Sequence, residues 1–280
     1  MAILIPGIIG IVLALGLYYG IGWWGFLIIF PWIGISISLG IYLRRILPQE
    51  KKNLGRKVSI LLIMPLLLLF VPIFNNENFQ LEGVVLIILV GFFSKGFIHY
   101  AIAKIFGPLI WGRGFCGWAC WTAAILDWLP IQKEGSISPR LKDLRYLALS
   151  ISVLLPVILV FAVNYDVRAN YIHKAELGWM ISGNMIYNCL AIPMAFHFRD
   201  RRAFCKVACP VSLVMKVPTE FALIRKRPSG IECIECGVCN EVCLMDVDVM
   251  SYLSRGQKVK STECILCDEC KINCPVGAIS

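Results

Sequence analysis

Apolar and polar positions are segregated along this chain in long blocks. Six apolar stretches run approximately over Leu4–Tyr19, Phe26–Leu43, Val58–Phe74, Val84–Ala103, Leu144–Val163 and Leu177–Phe196. Each comes near the length a helix needs to cross a hydrocarbon core of roughly 30 Å. The blocks predict an all-α polytopic membrane domain of about six transmembrane helices over residues 1–200. The first stretch is short, and Pro6 and several glycines weaken it as a helix. It has no basic start, and Gly22-Trp23-Trp24-Gly25 reads as a tight aromatic turn and not as a small-residue cleavage site. It is therefore expected to be retained as a span. Composition supports the block pattern: 58% of the 280 residues are hydrophobic, 16% are charged and the mean hydropathy is +0.75, outside the range of soluble domains.

The polar blocks carry a directional charge bias. Segments 44–57, 107–145 and 199–227 hold six, five and eight Lys/Arg, whereas 20–25, 75–82 and 164–176 hold zero, zero and two. The bias places the first set in the cytoplasm, with both termini inside a cytoplasmic (inner) membrane. Residues 201–229 form a basic connector. Residues 230–280 carry four Lys/Arg against eight Asp/Glu, although the whole chain is +9. The basic excess suits anionic lipid and the acidic tail itself; nucleic acid is a poor partner for a polytopic membrane chain.

Eight of the 13 cysteines lie in that tail, as two runs of C-x2-C-x2-C-x3-C. The spacing is that of a small α+β two-cluster bacterial ferredoxin, in which the fourth cysteine of each run ligates the other cluster. Cys233, Cys236, Cys239 and Cys274 are expected to hold one [4Fe–4S] cluster. Cys264, Cys267, Cys270 and Cys243 are expected to hold the second. Zinc motifs separate their C-x2-C pairs by longer gaps, and a reducing compartment argues against disulfides.

Four further cysteines belong to an internal repeat. Arg113-Gly-Phe-Cys116-Gly-Trp-Ala-Cys120 and Arg202-Ala-Phe-Cys205-Lys-Val-Ala-Cys209 share the pattern R-x-F-C-x-x-A-C. Each follows an apolar span that runs inward and continues to a proline, Pro130 or Pro218. The unit recurs in the same sense, so a parallel repeat is expected, related by an axis along the membrane normal. Residues i and i+4 of a helix share a face, so each pair would present two sulfurs side by side. Four converging thiolates suit a third iron–sulfur cluster. Buried structural thiols, a tetrahedral zinc site, redox dithiols and Cu(I) remain alternatives. Arg113 and Arg202 would offset the thiolate charge.

These residues carry a family resemblance over roughly residues 60–280. A membrane domain with two C-x3-C motifs, then Cys233-Ile-Glu-Cys236-Gly-Val-Cys239 and a second ferredoxin run, resembles the ferredoxin-type membrane quinol dehydrogenase component of periplasmic nitrate reductase systems. It also resembles related membrane polyferredoxins, the membrane regulator of nitrous oxide reductase expression and the cupric reductase of cytochrome oxidase assembly. The family writes C-x3-C-P; here Pro210 follows Cys209, but Trp121 follows Cys120, and Leu244 stands where a ferredoxin run usually has proline. The first two spans look like an addition to a four-span core. The resemblance implies an electron-transfer subunit of an oxidoreductase complex, of quinol dehydrogenase type, with quinol and other redox subunits as partners.

Few titratable groups fall within the spans. Lys95 and His99, at i and i+4 with Lys104 beyond, are the candidates for a quinone-headgroup or proton role, although lysine near a helix end also snorkels to the interface. Asn184 and Asn188 suit interhelical hydrogen bonding, and Cys189 suits packing. The sequence thus reads as a membrane iron–sulfur electron carrier between the quinone pool, or an outer-face partner, and a redox partner. Two other readings are a copper reductase or metal-site assembly factor using the C-x3-C cysteines, and a non-enzymatic anchor for a soluble reductase.

Overall fold

The computed structural model describes residues 3–75, 78–91, 97–166, 169 and 175–280. Helices α1 (Ile5–Ile21) and α2 (Phe26–Ile46) form a hairpin that turns at Gly22, whose φ of +75° only glycine adopts without strain. Their contact is built on small residues. A Cβ on Gly10 would lie 2.4 Å from the carbonyl oxygen of Phe30, and one on Gly34 would lie 2.4 Å from that of Pro6. Helix α3 (Gln49–Phe74) contains Pro65 and Pro72, with a π-turn at Leu66–Phe70 between them in which the Val71 N–H reaches the Leu66 carbonyl.

Helix α4 (Leu81–Val90) ends at left-handed Gly91, and α5 (Phe97–Trp111) follows with a second π-turn at Ile102–Phe106. Then come α6 (Gly114–Trp118), α7 (Trp121–Leu126), α8 (Pro139–Phe161) and α9 (Ala175–His197). Three short helices, α10 (Ala203–Val207), α11 (Val211–Val214) and α12 (Lys216–Thr219), lead to the C-terminal domain. Glu82 ties α4 to α8 and α9: it accepts hydrogen bonds from Ser152 Oγ at 2.6 Å and Tyr187 Oη at 2.8 Å.

Among the described residues three helices, α2, α3 and α8, are long and apolar enough to cross a membrane. The expectation of six spans meets a different arrangement. The first span is a helix of 17 residues. The fourth stretch stops as a helix at Gly91, and residues 92–96, with Lys95 among them, lie outside the described residues. Helix α9 has 23 residues but carries Glu176, Asn184, Asn188 and His197. Among the described residues there is no strand. In the C-terminal domain one isolated bridge, Pro228 to Ile279, stands where an α+β ferredoxin would have a ladder. Its loops instead use backbone donors on sulfur: Val247 N–H donates to Cys243 Sγ and Ala278 N–H to Cys274 Sγ, both at 3.3 Å.

The C-terminal domain, with helices α13 (Val238–Glu241), α14 (Val249–Leu253) and α15 (Glu269–Ile272), docks against the basic segments. Asp246 pairs with Lys133 and Lys206 at 2.7 Å and with Lys142 at 3.0 Å. Glu263 pairs with Arg113 and with Arg145, and Asp268 with Lys226 and with Arg44. Burial alone would raise the Asp246 carboxyl, but hydrogen bonds from Lys133 and Lys206 outweigh it and hold the group below the ordinary carboxylate range. The clamp is therefore complete at neutral pH and is lost only as pH falls through that range toward the lowered value.

Close backbone approach seals the joint. Trp118 Nε1 donates to Leu266 O at 3.0 Å, and a Cβ on Gly117 would sit 2.1 Å from Ile265 O. Gly117→Val should therefore lift the C-terminal domain off α6. The expected outcome is faster proteolytic cleavage within residues 225–230, followed on a gel. An unchanged cleavage rate would show that the domain does not rest on Gly117.

Candidate metal centre

Two cavities in the C-terminal domain are lined by cysteines. Cys243, Cys264, Cys267 and Cys270 surround one, together with Met245, Val247 and Ile265. Cys233, Cys236, Cys239 and Cys274 surround the other. The cysteine that closes each run thus lines the cavity of the opposite run. Short helices place the sulfurs: Cys239 lies on α13 and Cys270 on α15, while the other cysteines lie on the loops before and after them. Positive φ at Glu235, Leu266 and Asp268 lets these loops turn around the cavities. Burial pushes the Cys239 thiol up to about 11 and the Cys267 thiol up to about 12. Such thiols are poor free nucleophiles at neutral pH and become thiolates on binding metal.

The four C-x3-C cysteines come together as well. Cys205 feels the charges of Cys120 and Cys116, and Cys209 those of Cys205, Cys116 and Cys120. Burial pushes Cys205 up to about 11 and raises Cys120 and Cys209 also. The two copies of the motif share one backbone course, and it is not the continuous helix that i, i+4 spacing suggested. Cys116 and Cys205 lie on α6 and α10, which stop at Ala119 (φ −139°) and Ala208 (φ −126°). Cys120 then caps α7 in extended conformation, and Cys209 precedes Pro210, the cap of α11. Each pair therefore straddles a helix break. Trp121 starts its helix one residue after Cys120, so the missing proline leaves the break in place.

Buried charge surrounds these thiols. Asp127 Oδ2 accepts from Arg56 Nη1 and Arg202 Nη2, both at 2.7 Å, and all three side chains are nearly inaccessible. The same guanidiniums donate to the carbonyls of Gly117 and Cys116 at 3.1 Å. Burial opposes the charge of Arg113, but the neighbouring cysteines in their thiolate form, Cys116 first, and the Glu263 carboxylate outweigh it. Asp127 and Glu263 were not singled out in the sequence. The one available signal for Asp127 was a carboxylate within a basic block.

Among the described residues no group of three or more His, Cys, Asp or Glu gathers closely enough for a single metal ion. A cubane places each ligand on a separate iron, so its sulfurs stand farther apart than around one ion, and cysteines ringing a cavity fit that donor set. Ile265 and Leu266, which line the cavity closed by Cys243, meet α6 at Gly117 and Trp118, so the C-x3-C site lies beside that cavity. Cys116 and Cys205 pack in one apolar cluster with cysteines of both C-terminal cavities. His99 is buried and meets Phe79 edge-on, with ring centroids 4.6 Å apart. Cys189 is exposed, apart from all three cysteine sets.

A sequence model of a 4Fe-4S binding domain matches residues 100–130 and 185–228. These segments contain both C-x3-C pairs and none of the eight C-terminal cysteines. The chain is 24% identical over 239 residues to the uncharacterized protein MJ0749 of Methanocaldococcus jannaschii, covering 81% of this chain and 89% of that protein. It is 25% identical over 214 residues to MJ0750 of the same organism, covering 69% and 83%. It is also 21% identical over 192 residues to Escherichia coli YccM, whose name assigns it provisionally to electron transport, covering 63% of this chain and 53% of YccM. No solved structure matches the chain. The domain match supports at least one [4Fe–4S] cluster.

Two outcomes follow from this geometry. Cys243→Ala should perturb the cluster held by Cys264, Cys267 and Cys270, seen as loss of one of two spectral signals; loss of the cluster held by Cys233, Cys236 and Cys239 instead would reverse the assignment. Asp127→Asn leaves two buried guanidiniums without a countercharge and should cost roughly 3–5 kcal/mol, read as a lowered thermal unfolding midpoint in detergent.

Proposed function

We propose that this protein is a membrane iron–sulfur electron carrier with three cluster sites in series. The carrying observation is adjacency: α6, which bears Cys116, packs at Gly117 and Trp118 against Ile265 and Leu266, which line the cavity closed by Cys243 and not the other. The order is then the Cys233 cavity, the Cys243 cavity and the C-x3-C site. The residues of this chain hold the sulfurs, exclude water and balance charge, while the clusters supply one-electron chemistry when bound. Arg113, Arg202 and Lys104 supply positive charge at the innermost site. The match of a 4Fe-4S binding domain to the C-x3-C segments supports a cluster there, and the likeness to YccM supports electron transport.

The far end of the series exchanges electrons with the membrane phase, through the quinone pool or an outer-face partner. The near end meets a redox subunit on the cluster-bearing side, read as cytoplasmic from the Lys/Arg bias. The resemblance to the quinol dehydrogenase component belongs to this proposal.

Anaerobic purification with iron and sulfide counts tests the series. About 12 irons per chain are expected, falling to about 8 in Cys205→Ala/Cys209→Ala, as three cubanes require. About 8 irons in the unaltered protein, with the four C-x3-C thiols open to alkylation after unfolding, would remove the third cluster.

A further inference from the structure

A cavity of about 400 Å³ runs between the α1–α2 hairpin and α6. Ile9 and Leu13 of α1 and Phe30 and Ile37 of α2 form its apolar wall. Neither helix belongs to the segments that match the 4Fe-4S binding domain. Its other end is aromatic and carries one buried cation. Lys104 is 5% exposed and lines the cavity. Its ammonium lies 4.3 Å from the Phe115 ring centroid, 5.1 Å from that of Trp121 and 5.7 Å from that of Tyr100. Among the described residues it enters no ion pair. Its charge is felt at Cys120, so the polar end of the cavity adjoins the C-x3-C site.

Ring faces hold a cation in place but accept no conventional hydrogen bond, so an ammonium in an apolar chamber still lacks an oxygen. An occupant that suits the chamber has an electronegative oxygen at one end and a long apolar body. The aromatic walls at the cationic end further favour a flat ring there, which an acyl chain would not need. The volume falls within the range of small-molecule sites.

We propose that this cavity binds a membrane-soluble carrier of the quinone class, with its ring beside Phe115 and Trp121, a ring oxygen accepting a hydrogen bond from Lys104, and its tail along the α1–α2 wall. The proposal rests on the electron-carrier reading and assigns the membrane end of the series. It moves the head-group role from Lys95 and His99 to Lys104, with His99 a wall residue.

Trp111, Trp118 and Trp121 line the cavity and report on it. Decylubiquinone titrated into the purified full-length protein should quench tryptophan fluorescence saturably. Lys104→Met should weaken that binding about 10-fold or more, as loss of a charge-assisted hydrogen bond implies, and Lys104→Arg should restore part of it. Ile37→Trp, which fills the tail channel and leaves the cation in place, should abolish saturation. Equal binding in Lys104→Met and Ile37→Trp would overturn the site. Equal displacement of the quinone by a decyl-chain alcohol would also overturn it and make the cavity an acyl-chain site. Iron is counted on each sample: saturable binding with only about 8 irons in the unaltered protein would sink the three-cluster series and leave the site standing, whereas about 12 irons without binding would do the reverse.

Discussion

The carboxylate of Asp127 is the constraint around which the cysteine sites are arranged. It lies between the guanidiniums of Arg56, from α3, and Arg202, from the second cysteine motif. Both arginines also reach carbonyls of the first motif, at Gly117 and Cys116. One buried charge thus joins a membrane helix to both halves of the repeat. Charges placed so deep require near-complete pairing, because an unpaired one costs more than the pair contributes. The arrangement is therefore weak as a source of net stability and strong as a geometric specification. Its arginines occupy carbonyls of α6 at Cys116 and Gly117, and the cysteines lie where α6 and α10 stop.

Outward from that centre, opposite charge brings the acidic C-terminal domain onto the basic segments. Asp246, Glu263 and Asp268 each meet two or more cations from the chain outside that domain. Their grip is reinforced where glycine lets α6 approach the loop at Ile265. The consequence for function is proximity. A relay needs its sites close and fixed, and α6, which bears Cys116, packs against Ile265 and Leu266 in the wall of the cavity closed by Cys243.

Burial then divides the labour among charged side chains. Arg113 and Arg202 stand at equivalent positions of the repeat, each fully buried and each close to the thiols. Lys104 acts on the same site at Cys120 and is held by aromatic rings and not by carboxylates. Positive charge near these cysteines would offset the cost of holding anionic sulfur away from water.

Cysteine spacing and hydropathy are local properties, and they made the candidate cluster ligands, the apolar blocks and the repeat readable residue by residue. Cys233 to Cys274 and the two R-x-F-C-x-x-A-C copies needed no structure to be found, because ligand geometry restricts spacing so tightly. Span count was less readable: Gly91 ends a helix inside an apolar block, and hydropathy cannot register a backbone break. The i, i+4 reading of the cysteine pairs failed because both helices break between the cysteines: Ala119 leaves helical geometry with no stop signal in the sequence, and for Ala208 the only signal is Pro210 beyond the second cysteine. Long-range pairings were beyond reach altogether. Nothing near Asp127 in sequence indicates Arg56 or Arg202, and nothing near Lys104 indicates the α1–α2 wall. The sequence by itself determined which chemistry the chain can hold. Tertiary structure alone decided which buried charges meet and where a cavity opens, because those depend on contacts between segments tens of residues apart.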